Sequence, residues 1–551
     1  MKVDKIIQNI LALAFVKDFP KRFPKGSIYL VGGAVRDIIM GVEPKDVDLV
    51  AENVEFNDLH DFLTKHGKVQ MIKGRAFGVI KFKPDQCHCE EQSDEAIFSR
   101  VDRHASRSNG LARDDKKEVR LIFDIALPRR EEYSPGMRKK HAQVEHKNIT
   151  IIDDLKRRDF TINAMAFDLR AVIARSQSDE AIYLERLPRL GSTQWLAMTM
   201  RDSLIDPFSG LNDINNKIIR AVGNPEERFL EDPTRILRAI RLAVKLNFSI
   251  EPATKKAMIK LAPEIVKKFK DEKGRSSERV SYEMIGAEFI KTFDLDPEKT
   301  INLYDKIGLT KLIFPEIDMM KGVKQPDIFH TEGDVFEHTL LTLRNLPKKA
   351  TLTIKLATLL HDIGKPVTFT SAEMTGDRIR FHDHDKIGQE MSADVLKRIK
   401  MPKKLIDDIG WLVREHMKIF FAFPKMKKDR QKALVRNPLF DQLMILARAD
   451  TLSSLRPNGR PDLGIMPKIE KIVESIRKED REKPVEIING HEIIEIIRKT
   501  KPGFDPVKEG KKIGKLKKEI NSMYDRGEIK TEEEALELAE KWGGKISTRN
   551  S

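Results

Sequence analysis

Residues Ile28–Val50 read IYLVGGAVRDIIMGVEPKDVDLV. The apolar run Ile28–Val31 predicts a strand, Gly32 and Gly33 a sharp turn, and the residues after them a short helix. A loop and a second strand, ending at Val50, complete the stretch. Two glycines let the backbone turn and approach a ligand closely. A helix that starts at such a turn points its N–H groups at a phosphate. Arg36 and Asp37 fall on the first turn of that helix. Asp46 and Asp48 are two apart, so in a strand they share a face. Two carboxylates beside a phosphate-binding turn call for a cation, and Mg²⁺ takes oxygen ligands of this kind together with substrate phosphates. A GG turn or an Asp-x-Asp alone is commonplace; their order and spacing carry the reading.

Downstream, Phe77–Phe82 is short, apolar and rich in strand formers. From about 84 to 117 the pattern collapses into a polar, aperiodic run. It contains Gln92-Ser-Asp-Glu-Ala-Ile97, and the same hexamer returns at 177–182 inside a second aperiodic run from about 175 to 201. A structural repeat recurs at a fixed period in a packed unit; this one does not, so both runs read as insertions. Loops tolerate them because closure entropy grows slowly with length. Cys87, Cys89 and Trp195 lie within them. With the first insertion set aside, Val79–Phe82 becomes the hairpin partner of Val119–Asp124, which ends on an acid.

Asp153–Phe167 reads DDLKRRDFTINAMAF, and Ile162, Ala166 and Phe167 fit a helix. Arg157, Arg158 and Asp159 precede it. A helix start ordinarily prefers acids, so two arginines there suit a triphosphate. Asp206, Pro207, Gly210 and Asp213 mark a turn. Glu231–Arg241 reads EDPTRILRAIR, with Pro233 suited to the first helical position. Asp232, Arg235, Arg238 and, obliquely, Arg241 then share a polar face opposite Ile236, Leu237 and Ile240. Cytosine and adenine both present an amino donor beside a ring-nitrogen acceptor, which a carboxylate and a guanidinium complement. Guanine and uracil invert that order and leave both protein groups unpaired, at about 1–3 kcal/mol each when buried. Ser276–Glu283 reads as the opening of a further helix.

The chain has 551 residues, 40% apolar and 34% charged, with a formal net charge of +15. That length calls for two to four domains, and that charge favours a polyanionic partner. Two cysteines exclude a disulfide framework, and their Cys-His-Cys spacing is too short for a zinc knuckle. No apolar run reaches membrane-span length. Acidic Asp4 and Asp18 argue against a signal peptide, so the expectation is a cytoplasmic protein without a membrane.

LVGGAVRD, DVDLV, RRDFTINA, the D-P-x-x-G-x-x-D turn and EDxxR together resemble the class II CCA-adding enzymes and bacterial poly(A) polymerases. The resemblance implies an α+β protein: a nucleotidyltransferase head with a small mixed sheet (1–170), an insert-bearing loop (171–204), a helical neck and body (205–325) that selects the nucleotide and binds RNA, then two further segments. It implies Asp46 and Asp48 as holders of two Mg²⁺ ions and Asp124 as the third, activating acid. It gives nucleotide binding to Gly32, Gly33, Arg36, Asp37, Arg157, Arg158, Asp159, Asn163, Asp232, Arg235, Arg238 and Arg241. From His330 the residue usage changes. His338, His361-Asp362 and Asp450 resemble the HD superfamily of metal-dependent phosphohydrolases (326–455), with His384 and His416 matching the extra ligands of two-metal members. His330 and His382 fit less well and read as ordinary polar positions. The HD metal is left open among divalent ions. The tail (456–551) resembles the C-terminal end of HD-containing CCA-adding enzymes, and Lys511, Lys512, Lys515, Lys517 and Lys518 suit RNA phosphates.

The expected activity is template-independent addition of CCA to the 3′ end of tRNA from CTP and ATP, with no obligate protein partner implied. A poly(A) polymerase or a CC- or A-adding enzyme shares these motifs. A phosphohydrolase or RNA-binding protein with an inactive head is the alternative of another class.

Overall fold

The computed structural model describes residues 10–11, 13–44, 46–71, 79–85, 122–132, 143–145, 149–171, 203–270, 276–328, 330–482, 487–500, 504–506, 509–525, 528–529 and 531–545. Both repeated hexamers, the two cysteines and Trp195 lie outside these residues.

The N-terminal part is built on a mixed sheet containing β1 (Ser27–Val31), β2 (Val47–Glu52), β3 (Gly67–Met71), β4 (Val79–Pro84) and β5 (Phe123–Ala126). Strand order is β3-β4-β5-β2-β1, extended by Ala166–Asp168 and Leu204–Ile205. All pairings are antiparallel except β2 with β5. The period of two decides what each face carries. In β4 and β5, Ile80, Phe82, Phe123 and Ile125 are fully buried. Phe15 of helix Ala14–Arg22 meets the rings of Phe82 and Phe123 edge-on, with centroids 4.9 and 5.5 Å away. The alternate residues, Lys81 and Asp124, therefore project to the other face, where both are half-buried. On that second face Tyr29, Val31 and Val50 pack under Ile151 and Leu155 of helix Ile151–Lys156.

Val79–Phe82 does pair with the strand that carries Asp124, but that strand is Phe123–Ala126 rather than Val119–Asp124: Ile80 faces Ile125 and Lys81 faces Asp124, and Val119–Leu121 lie outside the described residues. The helix expected through Ile162, Ala166 and Phe167 is not. The helix is Ile151–Lys156, capped by Thr150, followed by a 3₁₀ turn at Thr161–Asn163 and the strand Ala166–Asp168. Three buried apolar residues look alike in a helix and in an inner strand; here β1 supplies a partner for the strand. Ser276–Glu278 is likewise a strand, paired with Lys268–Lys270. Its helix begins only at Tyr282, after the Ser281 cap.

Two compact units emerge: 1–414 with 453–459, and 415–452 with 460–551. The first contains the sheet, the helices Pro225–Glu231, Thr234–Leu246, Tyr282–Phe293 and Pro297–Ile307, and later Val335–Arg344, Leu352–Leu360, His384–Arg398 and most of Lys403–Glu415. The second unit closes on a core of Ile488, Ile493, Ile497, Ile513, Leu516, Ile520, Ala535 and Ala539. No helix among the described residues is long and apolar enough to cross a membrane.

Candidate functional site

Asp48 stands on β2 directly opposite Asp124 of the parallel strand β5, so both carboxylates leave the same face of the sheet. Asp46 is exposed and sits in the bend just before β2 rather than within it. Lys81 Nζ lies 3.5 Å from Asp124 Oδ1. Asp48 and Asp124 thus present carboxylate oxygens on one face, the donor chemistry that suits Mg²⁺.

Above Asp48 runs the glycine turn. Gly32 has φ +76°, and a Cβ there would stand 2.6 Å from an Arg158 guanidinium nitrogen. Glycine is thus required twice, for backbone and for space. Arg158 is placed by Asp154, a fully buried residue that the sequence reading passed over. Asp154 Oδ1 takes Arg157 Nε at 2.9 Å, and Oδ2 takes Arg158 at 3.1 Å. Burial alone would raise this carboxyl; the Arg158 and Arg157 guanidiniums outweigh it and hold it below the ordinary value. The signal was present, since Asp154 is three and four residues before the arginines, which is helical reach.

A second buried network ties the turn to the downstream helices. Arg36 donates to Asp37 at 2.8 Å and to Asn163 Oδ1 at 2.6 Å. Asn163 in turn donates to Asp159 at 3.3 Å, and Arg238 meets the other Asp159 oxygen at 2.5 Å. Burial opposes ionisation of Asp159, yet Arg238 and Arg235 keep it low.

Helix Thr234–Leu246 corrects the reading of EDPTR. Pro233 is its cap, and Asp232 ends the preceding helix, so Asp232 and Arg235 do not share a helix face. Both are buried. Asp232 Oδ1 accepts from the Thr234 N–H at 3.1 Å. Arg235 reaches Glu231 at 2.7 Å and the Arg157 carbonyl at 3.1 Å. Arg241 turns away to Glu288, 2.8 Å distant. In the D-P-x-x-G-x-x-D turn, Asp206 accepts from Gly210 and Leu211 N–H groups at 2.7 and 2.9 Å. Asp213 accepts from Thr161 at 2.7 Å. Gly210 presses on the Thr161 carbonyl, 2.3 Å from where a Cβ would be.

Farther along the first unit, three imidazoles gather around Asp362, all fully or nearly fully buried. His361 Nε2 is 3.1 Å, His384 Nε2 3.6 Å and His338 Nε2 3.8 Å from a carboxylate oxygen of Asp362. Thr342 Oγ1 stands 3.5 Å from the same His338 nitrogen. Nδ1 of His361 lies 2.8 Å from the Thr358 carbonyl, and Nδ1 of His384 is 2.8 Å from the Phe381 carbonyl. A carbonyl only accepts, so each Nδ1 carries a proton and each Nε2 is the nitrogen turned toward Asp362. Metal-binding histidines are held in this way, and imidazole with carboxylate suits a divalent transition ion. Lys365 Nζ stands 2.7 Å from Asp362 Oδ2 and 2.7 Å from Gln325 Oε1. Burial opposes ionisation of Asp362, yet the His361 imidazole and the Lys365 ammonium beside it hold its carboxyl well below the ordinary range. His330, read as an ordinary polar position, shares Glu332 with His338. His382 is almost fully exposed, as its poorer fit implied.

The second unit holds His416, buried, and Asp450, half-buried on helix Phe440–Ser453. Lys511, Lys512, Lys515 and Lys518 line the exposed side of helix Gly510–Asp525, and Lys517 is half-buried.

Residues 28–176 match the family described as the poly A polymerase head domain, and residues 335–455 match the HD domain. A protein of Deinococcus radiodurans named A-adding tRNA nucleotidyltransferase is 28% identical over 77% of this chain and 87% of its own length. A Neisseria meningitidis protein named multifunctional CCA protein is 28% identical over 79% of this chain and 84% of its own. Among solved structures, the Bacillus stearothermophilus CCA-adding enzyme in complex with CTP aligns over 97% of this chain and 98% of that one, with TM-score 0.50 and 18% identity. Apo form I of a CCA-adding enzyme aligns over 97% and 93%, with TM-score 0.51 and 20% identity. At those identities the structural likeness is one of fold.

Proposed function

We propose that this chain, a nucleotidyltransferase with a poly A polymerase head and an HD domain, adds CCA to the 3′ end of tRNA from CTP and ATP. The observation that carries the reading is the alignment of Asp48 with Asp124 beneath the Gly32 turn and the Arg158 guanidinium. Asp46, Asp48 and Asp124 are the residues that would hold Mg²⁺, which when bound acidifies the attacking hydroxyl and stabilises the leaving pyrophosphate. Asp124 would also take the proton of the RNA 3′-hydroxyl. Arg157 and Arg158, fixed by Asp154, bind the triphosphate, with Gly33, Arg36, Arg238 and Asp37 completing the pocket. Asp232 and Arg235 read the base edge. The cluster of His338, His361, Asp362 and His384 serves as a divalent-metal centre.

The test uses purified protein, Mg²⁺ and tRNA transcripts ending before CCA, after C and after CC, each given single nucleotides and CTP with ATP. Completion to CCA followed by a stop is the expected result. Addition of A alone, only to the CC-ended transcript, would instead match the name of the Deinococcus relative, and long A tails would make the chain a poly(A) polymerase. Asp46→Ala with Asp48→Ala should remove incorporation by at least about a hundredfold, as several kcal/mol of charge stabilisation is lost. Incorporation that survives this pair refutes the assignment of the head.

A further inference from the structure

Glu332, next to the imidazole cluster, is pinned at both oxygens. Oε1 lies 2.7 Å from Nδ1 of His338 and 2.7 Å from Nδ1 of His330. Oε2 accepts the Leu455 N–H at 2.9 Å, and the neighbouring Thr331 N–H donates to the Leu455 carbonyl at 2.9 Å. The rings of His330 and His338 meet edge-on, centroids 5.0 Å apart. A carboxylate accepts and does not donate, so His338 carries a proton on Nδ1, which leaves Nε2, the atom that faces Asp362, as the nitrogen that can ligate a metal. His361 and His384 reach the same state through backbone carbonyls, which no substitution can remove. For His338 the acceptor is a side chain.

We propose that Glu332 is the positioning residue of this centre: it fixes His338 in the tautomer whose Nε2 can ligate a metal. His330, bound to the same oxygen, braces the carboxylate and does not itself ligate. The inference rests on the reading of His338, His361, Asp362 and His384 as a divalent-metal centre. Glu332 lies in a loop six residues before His338, off any helical or strand period, which is why sequence spacing does not reveal it.

The test uses full-length, chelator-stripped protein carrying Asp46→Ala and Asp48→Ala, so that the head does not bind the probe. Mn²⁺ affinity is measured by calorimetry, and the tautomer of each histidine is read in the metal-free state by ¹⁵N NMR. Glu332→Met and Glu332→Gln have similar volumes, but only Gln keeps an acceptor oxygen. Glu332→Met should weaken Mn²⁺ binding by roughly 10–100-fold and release His338 from the Nδ1–H form. Glu332→Gln should restore most of both, and His330→Ala should cost less than Glu332→Met. The histidine spectra also report whether each variant is folded. Parental affinity in Glu332→Met, an unchanged His338 tautomer, or equal losses in Met and Gln overturns the proposal. If Asp362→Ala fails to lower Mn²⁺ affinity, the metal-centre reading falls instead, and the two failures are told apart by which variant is silent.

Discussion

Gly32 and Asp154 show how few atoms set the geometry above the sheet. Gly32→Ala places a methyl 2.6 Å from the Arg158 guanidinium and forces a positive φ on a residue with a Cβ. It should cost about 1–3 kcal/mol of stability and, by displacing Arg158, raise the KM for nucleotide more than it lowers kcat; steady-state kinetics with denaturant unfolding checks both. Asp154→Asn leaves two guanidiniums facing a neutral amide in a dry site. The loss should be about 3–5 kcal/mol near neutral pH. Its pH dependence follows from the depressed carboxyl. The stabilisation is fully present above the unfolded carboxylate value near 4 and fades as pH falls through the lower folded value. Unfolding measured from pH 7 to pH 3 should therefore show parent and variant converging only at the acid end.

The elements that were legible in sequence are those whose partners lie close along the chain. β1, the glycine turn and β2 form one continuous stretch, so Asp48 and Gly32 could be placed from spacing. The strand carrying Asp124 is legible once the aperiodic run is set aside, because that brings it next to Val79–Phe82. Elsewhere local pattern failed for physical reasons. Ala166 and Phe167 lie in a strand whose partner β1 is far away in sequence, and apolar content alone does not distinguish a helix from an inner strand. Asp232 was placed on a helix whose cap is Pro233, an error of one residue that changes which side chains align. Arg241 looked like part of a nucleotide-facing row because its partner Glu288 lies on another helix. The β4–β5 connection gives a direct check on the insertion reading. Replacing the chain between Pro84 and Ile122 with a four-residue turn removes about three doublings of loop length. It should stabilise the protein by roughly 2 kcal/mol and leave incorporation intact. A lost sheet or lost activity would show that the segment is structural.

At the level of the whole chain, the excess of 15 positive charges makes salt the variable that reports on RNA. The lysines of helix Gly510–Asp525 occupy the side opposite Ile513, Leu516 and Ile520, so they can be changed without touching the core. Replacing Lys511, Lys512, Lys515 and Lys518 with Gln should lower the slope of log affinity for tRNA against log salt by about 3, at 0.7–0.9 per phosphate contact. An unchanged slope would assign these lysines to solvent alone. The bridge from Arg36 through Asn163 and Asp159 to Arg238 bears on modularity. The buried Asp159 finds its counter-charge on a helix that begins at Thr234, well beyond the matched head. A head excised at its family boundary would retain an interior acid without its neutralising arginine. Grafting this catalytic module onto another neck, whether by an engineer or by recombination, must therefore carry the Thr234–Leu246 helix along or supply an equivalent guanidinium.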